Sequence, residues 1–385
     1  MRVLLEGFGL ARTRDTGGVD SYWRNLVPRL LDLAREDPGL HLGVLSAFLN
    51  PFRVRTLLPY RRRGASLHHW WLPPQLLGSL GRRRLPLEFF AGTHDLVHAV
   101  EPVWPFRSRG RLVVTCHDLM YRHHPQYLDP RWVRRLEEGT REAQRRATLW
   151  ICVSEHTRED LIRHYHVPRG RTRVVYHGVD ASFREAGLDS GAVEAVRAKR
   201  HLDKPYLLFL GSVEPKKNLR VLLRAYAHAL RLGIGSELVV AGRAGWRSET
   251  VRRAVEEAPE LRDRVRFTGF VDQEDLPGLV GGARALVLPS RYEGFGMPVL
   301  EAMAAGTPVL CSDRGALPEV AGGAALHFDA DDEEALAGLL ARIDGDDGLW
   351  EDLRRRGLER AAPFTWERCA RETLEAWKHA LSLPR

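Results

Sequence analysis

Residues 285–313 read "ALVLPSRYEGFGMPVLEAMAAGTPVLCSD". A short apolar run ends at Pro289, the chain turns on Gly294-Phe295-Gly296, and a helical pattern follows before a second apolar run, "TPVLCSD". Pro298 suits the first turn of a helix, where its missing N–H costs nothing. The two glycines leave the backbone free to curl tightly ahead of it. Strand, turn, helix and strand make a βαβ unit, and βαβ units build parallel sheets. Two acids bracket the turn, Glu293 before it and Glu301 on the helix. Acids near a helix N-terminus are stabilising in their own right. That accounts for Glu301 but not for the Gly-Phe-Gly turn beside Glu293.

The same alternation extends outward in both directions. "YLLFLGS", "ELVVAGR", "RVRFTGF" and "ALHFD" read as further strands of this half, with helices between them. The first half repeats the pattern with "RVLLEG", "HLGVLSAF", "LVHAV", "RLVVTCHD", "LWICVS" and "TRVVYHGVD", and with helices over 19–35, 130–147 and 155–164. Ser154 is a good N-cap for the third of these helices. The expected fold is therefore α/β, with two doubly wound, Rossmann-like domains. The first is expected over residues 1–185 and the second over 204–365, joined by a polar connection at 186–203. A final helix over 366–385 is expected to cross back to the first domain. Ligands of such sheets bind at the carboxyl ends of the strands, here expected in a cleft between the domains.

A chain of 385 residues with 44% apolar residues can bury two such cores. Its formal net charge is +8, carried mostly by arginine, which suits an anionic partner or simply a solvated basic surface. The four cysteines are far apart, with no CxxC spacing, and favour buried free thiols over disulfides or zinc. "MRVLLEGFGLAR" lacks a signal-peptide cleavage pattern, and no apolar stretch approaches bilayer length. A cytoplasmic protein is expected.

Several motifs carry chemistry. "EGFGLAR" begins like a dinucleotide fingerprint but has Arg12 where the third glycine must allow close helix packing, so a nicotinamide cofactor is not expected. Gly17-Gly18 precedes a helix and could let backbone N–H groups approach an anion. His117 and Asp118 end a buried strand, where a histidine can hydrogen-bond a ligand or carry a proton. His68-His69, His123-His124 and His164/His166 read as surface or loop residues, none at metal-ligand spacing from a Cys or carboxylate. In "LLFLGSVEPKKNLRVLLRAY", Lys217 lies in a strand-to-helix loop and can meet a phosphate as a point charge. The D-x-D at Asp329–Asp331 reads as N-capping acids, so no metal is implied. Residues 51–90 combine arginine triplets (including Arg61 and Arg62) with Trp70 and Trp71. That mixture suits an anionic membrane surface as well as it suits a solvated basic loop. Basic residues elsewhere follow no aromatic-lined stripe, so nucleic acid is not expected.

The stretch around Glu293 and Glu301 resembles the E-x7-E motif of the retaining GT-B glycosyltransferases of family 4. "GSVEPKKNL" is similar to that family's phosphate loop and "GGVDSYWRNL" to its opening glycine loop. "CVSEHTREDLIRHY" with "VVYHGVD" resembles the end of its first domain. The resemblance covers almost the whole chain apart from roughly residues 50–90. It implies transfer of a hexose, with mannose the candidate, from a nucleotide diphosphate sugar to a glycan or lipid-linked acceptor. No cofactor or metal is implied.

Residue by residue, the resemblance gives Gly17, Gly18 and Lys217 to the donor diphosphate. Phe295, Gly296 and Met297 would offer backbone amides, Val271 would lie at the base and Glu301 at the ribose. Glu293 would bind the transferred sugar and His117 would sit beside the reacting centre, with Asp118, Arg61, Arg62, Trp70 and Trp71 on the acceptor side. Many relatives carry Arg at the position of Ser212, and Arg243 is expected to replace that charge. Two other readings stay open: a sugar-nucleotide epimerase, which needs no acceptor, and a non-catalytic sugar-nucleotide-binding protein.

Overall fold

A computed structural model describes residues 1–10, 18–73, 76, 85–103, 106–187, 189–245 and 248–384. The chain divides into two compact units, Met1–Gly178 with Thr365–Arg385, and Val179–Phe364.

The first unit holds a seven-stranded parallel sheet in the order β3-β2-β1-β4-β5-β6-β7. Its strands are β1 (Arg2–Glu6), β2 (His41–Ala47), β3 (Ser66–Trp70), β4 (Leu96–Ala99), β5 (Arg111–Cys116), β6 (Leu149–Cys152) and β7 (Thr172–Val174). The central strands β1, β4, β5 and β6 are almost wholly buried runs of Val, Leu, Ile and Cys, as a sheet covered on both faces requires. Helices α1 (Gly18–Glu36), α2 (Met120–His123), α3 (Pro130–Arg146) and α4 (Glu155–Tyr165) belong to the same unit. Ser154 caps α4 by accepting from Thr157 N–H at 3.0 Å.

Strand β3 is a correction to the sequence reading, which treated residues 51–90 as an irregular basic segment. "SLHHW" pairs in parallel with Gly43–Ala47 of β2 at the edge of the sheet. An edge strand is only half-buried, so it shows no apolar run to betray it. Trp70 at its end is turned inward, its indole N–H donating to the Phe90 carbonyl at 2.9 Å.

The second unit holds a six-stranded parallel sheet in the order β10-β9-β8-β11-β12-β13. Its strands are β8 (Tyr206–Leu210), β9 (Glu237–Ala241), β10 (Val265–Gly269), β11 (Ala285–Leu288), β12 (Val309–Ser312) and β13 (Leu326–Phe328). Residues 186–203, expected as a connection, are part of this unit. They contain α5 (Ser190–Lys199), which packs on α6 (Leu276–Gly281). The two helices approach so closely that a Cβ on Gly278 would lie 2.8 Å from Val196 Cγ2. Lys199 and Arg200 each reach Asp275 at 2.8 Å, fixing the end of α5. The polar face that resembled a linker is the solvated side of this helix.

Helix α7 (Met297–Ala304) follows the Gly-Phe-Gly turn, and α8 (Glu333–Gly345) follows β13. The final helix, α9 (Trp366–Ser382), lies in the first unit. Its buried residues Trp366, Cys369, Ala370, Thr373, Ala376, Trp377 and Ala380 recur at helical spacing and form one stripe. Trp377 donates its indole N–H to His98 Nδ1 at 3.2 Å, and His98 Nε2 in turn lies 2.8 Å from Thr115 Oγ1. The start of α9 presses on Gly178, where a Cβ would lie 2.6 Å from Trp366 Cα and closer still to its backbone nitrogen. Gly178→Ala is therefore expected to cost about 1–3 kcal/mol through overpacking. An unchanged urea midpoint would show that α9 can shift freely.

All four cysteines are buried free thiols. No helix among the described residues is long and apolar enough to cross a membrane.

Candidate active site

In each sheet the chain reverses its direction of winding once, and the loops on either side of that reversal are where such folds bind ligands. In the second unit the reversal falls between β8 and β11. The loop after β8 carries Lys217, and the loop after β11 carries Glu293. They meet: Lys217 Nζ lies 2.6 Å from Glu293 Oε1, with both side chains 11% exposed. Ser290 donates its hydroxyl to the same oxygen at 2.6 Å. Burial by itself would raise the Glu293 carboxyl. The charges of Lys217 and Lys216 and the hydrogen bonds from Lys217 and Ser290 outweigh burial and hold it below the ordinary carboxylate value. Glu293 is thus ionised at neutral pH, and among the described residues Lys217 Nζ makes one hydrogen bond, leaving two of an ammonium's three N–H donors for another acceptor.

Glycines build the walls of this corner. Gly211, Gly242 and Gly269 lie at the carboxyl ends of β8, β9 and β10, all with positive φ. They are linked in series, Gly211 N–H to the Ala241 carbonyl at 2.9 Å and Gly242 N–H to the Gly269 carbonyl at 2.8 Å. A Cβ on Gly211 would touch the Lys217 side chain at 3.4 Å. Behind Glu293, Gly315 at φ +62° lies so close that a Cβ would come within 2.7 Å of the Glu293 backbone nitrogen. Ala316 N–H donates to the Glu293 carbonyl at 2.9 Å. Ser290 and Gly315 were not singled out in the sequence. Ser290 stood inside the quoted stretch, whereas Gly315 lies beyond it and only the folded chain shows its role.

Gly296, at φ +102°, caps α7. Glu301, partly buried, stands on the second turn of that helix, and Phe295 is buried with its ring 6.4 Å from that of Phe364. Met297 is half-buried at the first helical position and Val271 is buried beside the exposed Phe270. Ser212 is partly buried beyond the end of β8. The Arg243 guanidinium lies 4.3 Å from the Phe270 ring centre, a cation–π stack, and the Arg243 carbonyl accepts from Val213 N–H. Its charge is therefore engaged at the ring beside Val271.

The D-x-D is not the helix cap. Asp332 caps α8, accepting from Ala335 N–H at 2.8 Å. Asp329 pairs with Arg314 at 2.9 Å and Asp331 with Arg291 at 2.5 Å. These acids have arginine partners that no local pattern reveals.

In the first unit the winding reverses between β1 and β4. Gly18 starts α1, and a Cβ there would meet nothing among the described residues within 4 Å. Gly17 lies outside the described residues. His117 follows β5, next to β4, and its ring makes a hydrogen bond to the Val100 backbone. Its Nε2 is buried with no partner among the described residues, so the bond to Val100 is made by Nδ1–H and Nε2 carries the lone pair. Burial pulls the imidazole down to about 4, against the opposing effect of the Val100 bond. At neutral pH His117 is therefore a hydrogen-bond acceptor and not an acid.

Tyr22 stands edge-on to His117 at 4.9 Å and to His177 at 4.7 Å, and His177 stands edge-on to Trp366 at 5.8 Å. Tyr22 and His177 lay within quoted motifs but were given no role. Asp118 accepts from Met120 N–H at 3.1 Å, shaping the turn into α2. Arg61, Arg62 and Trp71 are exposed. Trp70, expected at an interface, packs against the core.

His98, His117 and His177 are all lowered by burial, His98 to about 3. Between pH 6.5 and about 4 the unfolded chain takes up protons at His98 and His117 and the folded chain does not. Stability is therefore present above pH 6.5 and lost as the pH falls, by about 1.4 kcal/mol per pH unit for each such histidine. Urea unfolding of wild type and His117→Asn at pH 6.5 and 5 checks this. The variant should lose less on acidification, and equal losses would refute the assignment.

Two units, each a doubly wound parallel sheet, are the architecture of the GT-B fold. The chain matches the family models "Glycosyl transferases group 1" over residues 194–360 and "Glycosyltransferase Family 4" over residues 16–183. It belongs to that family. It is 35% identical, over 94% of this chain and 96% of the relative, to O-antigen chain mannosyltransferase B of Escherichia coli. It is 29% identical to D-inositol 3-phosphate glycosyltransferase of Salinispora tropica, over 96% and 82% of the two chains. Among solved structures, sucrose-phosphate synthase from Thermosynechococcus elongatus superposes with a TM-score of 0.73 at 21% identity, covering 98% of each chain. Anabaena HepE, solved with UDP and glucose, superposes with a TM-score of 0.71 at 18% identity, covering 100% of each chain.

Proposed function

We propose that this glycosyltransferase moves mannose from a nucleotide diphosphate sugar to a glycan or lipid-linked acceptor, with retention of anomeric configuration and without a metal ion at the diphosphate. The observation that carries the reading is the buried Lys217–Glu293–Ser290 cluster at the reversal of the second sheet. Lys217 spends one donor on Glu293 and keeps two for the phosphates, so the leaving group's charge meets a fixed cation. The backbone N–H groups that open α7 add a second positive end. Glu301 takes the ribose hydroxyls, Val271 and Phe270 border the base, and Glu293 faces the sugar hydroxyls.

In the transfer step the bond from sugar C1 to the β-phosphate oxygen breaks, and the acceptor oxygen bonds C1 from the same face. The acceptor's proton passes to the β-phosphate oxygen. His117, neutral with Nε2 as an acceptor, holds a hydroxyl of the sugar while charge develops at C1. Mannose is favoured by the likeness to the Escherichia coli mannosyltransferase, and a nucleotide diphosphate donor by HepE, whose structure contains UDP and glucose. An O-antigen-like polysaccharide is the acceptor class that follows from the first of these. A lipid-linked acceptor is favoured by the first unit, where Leu49, Phe52, Trp71, Leu76 and Phe89 are all exposed within a segment, residues 49–89, that also holds Arg61 and Arg62. Such a mixture suits peripheral contact with an anionic membrane on the cytoplasmic side.

Thermal-shift measurements with GDP-mannose, UDP-, ADP- and dTDP-sugars and the free diphosphates, in EDTA, test the donor. A selective rise with the donors of one base is expected, followed by transfer of mannose to a mannosylated lipid acceptor giving an α-linked product by proton NMR. Donor turnover without any acceptor would favour an epimerase, and binding without turnover a sensor. Transfer that requires added Mg2+ would overturn the metal-free step.

A further inference from the structure

The first unit assembles a second polar cluster that the donor chemistry does not use. Along α4, His156, Asp160 and His164 are spaced four residues apart and share one face of the helix. His123, at the end of α2, comes down onto that face with its Nε2 2.7 Å from Asp160 Oδ2. One potential ligand atom from each of His123, Asp160 and His164 lies within 4.8 Å of the others. The His123 and His164 rings meet edge-on at 5.0 Å. A fourth group, His156 Nε2, lies 3.4 Å from Asp160 Oδ2. No other group of three such side chains with this closeness occurs among the described residues.

We propose that His123, Asp160 and His164 bind a zinc ion, with His156 as fourth ligand or as the partner that orients Asp160. Two or three imidazoles with one carboxylate are the donor set of a borderline-soft, tetrahedral cation, not of Mg2+ or Ca2+. Ligand atoms around tetrahedral zinc stand about 3.3 Å apart, given bonds of about 2.0–2.1 Å. Rotation of the partly exposed His123 and His164 rings closes the remaining gap. The independent observation is His164, whose Nε2 is buried without a hydrogen-bond partner among the described residues. A buried imidazole nitrogen left that way is costly, and a metal removes the cost.

Arg122 and Arg163 also stand near His164, and their charges oppose a cation there. Arg122 is drawn partly away by Glu137 at 3.4 Å, which limits its repulsion of the ion. The ion would tie α2 to α4. Because α2 continues directly from the turn that holds His117 and Asp118, it would stiffen that turn; it takes no part in the transfer itself.

The experiment uses untagged full-length protein freed of metal with EDTA and titrated with zinc chloride by calorimetry, with thermal unfolding in parallel. One zinc per chain is expected, with a raised melting temperature. Affinity should fall more than about 100-fold in H123Q and in H164Q, as for loss of a direct ligand. H124Q, which alters the adjacent histidine stacked on Tyr127, should bind like wild type. Cobalt substitution should give the visible bands of a tetrahedral site. The proposal is overturned by no saturable binding in the wild type, or by binding in H123Q and H164Q equal to that of the wild type. Because the readouts are stoichiometry and melting temperature, they stand apart from any test of glycosyl transfer.

Discussion

Lys217→Met is expected to lose about 3 kcal/mol of folding stability and at least about 100-fold in kcat/KM for glycosyl transfer. The two losses have different causes. Lys217 and Glu293 form an ion pair at 2.6 Å with both side chains 11% exposed. Removing the lysine leaves a carboxylate out of water with Ser290 as its remaining hydrogen-bond donor in the pair's corner. An uncompensated buried charge of that kind costs about 3–5 kcal/mol, more than the intact pair contributes. The catalytic loss arises because Lys217 is the cation that the ion pair holds fixed between the loops after β8 and β11.

The double variant K217M/E293Q separates the two. The neutral amide introduced by E293Q can still accept from Ser290, so much of the stability should return, whereas transfer should not. Urea midpoints of the wild type, both single variants and the double variant give the coupling energy. Transfer assays at a temperature where all four are folded give the rest. A stability loss under about 1 kcal/mol would mean that water screens the pair. Recovery of transfer in the double variant would reduce Lys217 to a structural counter-ion. Because the Glu293 carboxyl is held below its ordinary value, its contribution is complete above pH 4.5 and is lost only as the pH falls through the lowered value.

Gly315→Ala should lose about 2–4 kcal/mol and about 100-fold in kcat/KM, acting through the Glu293 backbone. Gly315 adopts φ +62°, where an L-residue costs about 1–2 kcal/mol. Its new methyl would lie 2.7 Å from the Glu293 nitrogen and nearer still to the Glu293 carbonyl oxygen. Both are backbone atoms that cannot rotate away, so overpacking adds about 1–3 kcal/mol. Relief requires Glu293 itself to move, and a displacement of about 1 Å in a positioned group costs about 100-fold. Gly338→Ala is the control. It lies inside α8, where a methyl meets nothing within 4 Å, and should stabilise by about 0.5–1 kcal/mol. If Gly315→Ala loses stability but keeps its kcat/KM, the loop after β12 does not position Glu293.

The alternation of buried runs with helical patterns was legible because central parallel strands, covered on both faces, must be apolar throughout. Strand β3 was not legible. His68, His69 and Trp70 lie on an edge and need only half-bury, so their pattern mimics a loop. Helix α5 read as a connection for the opposite reason: one apolar stripe against α6 suffices, and the rest of its surface is solvated. Glu293, Lys217 and His117 could be singled out because each sits beside a strand end and a turn. Their states could not. That Glu293 is bound to Lys217 depends on a side chain 76 residues away, and that His117 is a neutral acceptor depends on its burial, with the Val100 backbone bonded to the ring.

By itself, then, the sequence determined two doubly wound parallel sheets, the family and the strand ends where the candidate site residues lie. Those follow from local periodicity and from glycine and proline geometry, which act over a few residues. Tertiary structure alone decided what those residues meet: the Lys217–Glu293 pair, the Gly315 backstop, and His123 laid upon Asp160 and His164. These contacts join segments far apart in the chain. Charge state and ligand geometry are set by burial and by neighbours in space, and spacing along the chain contains neither.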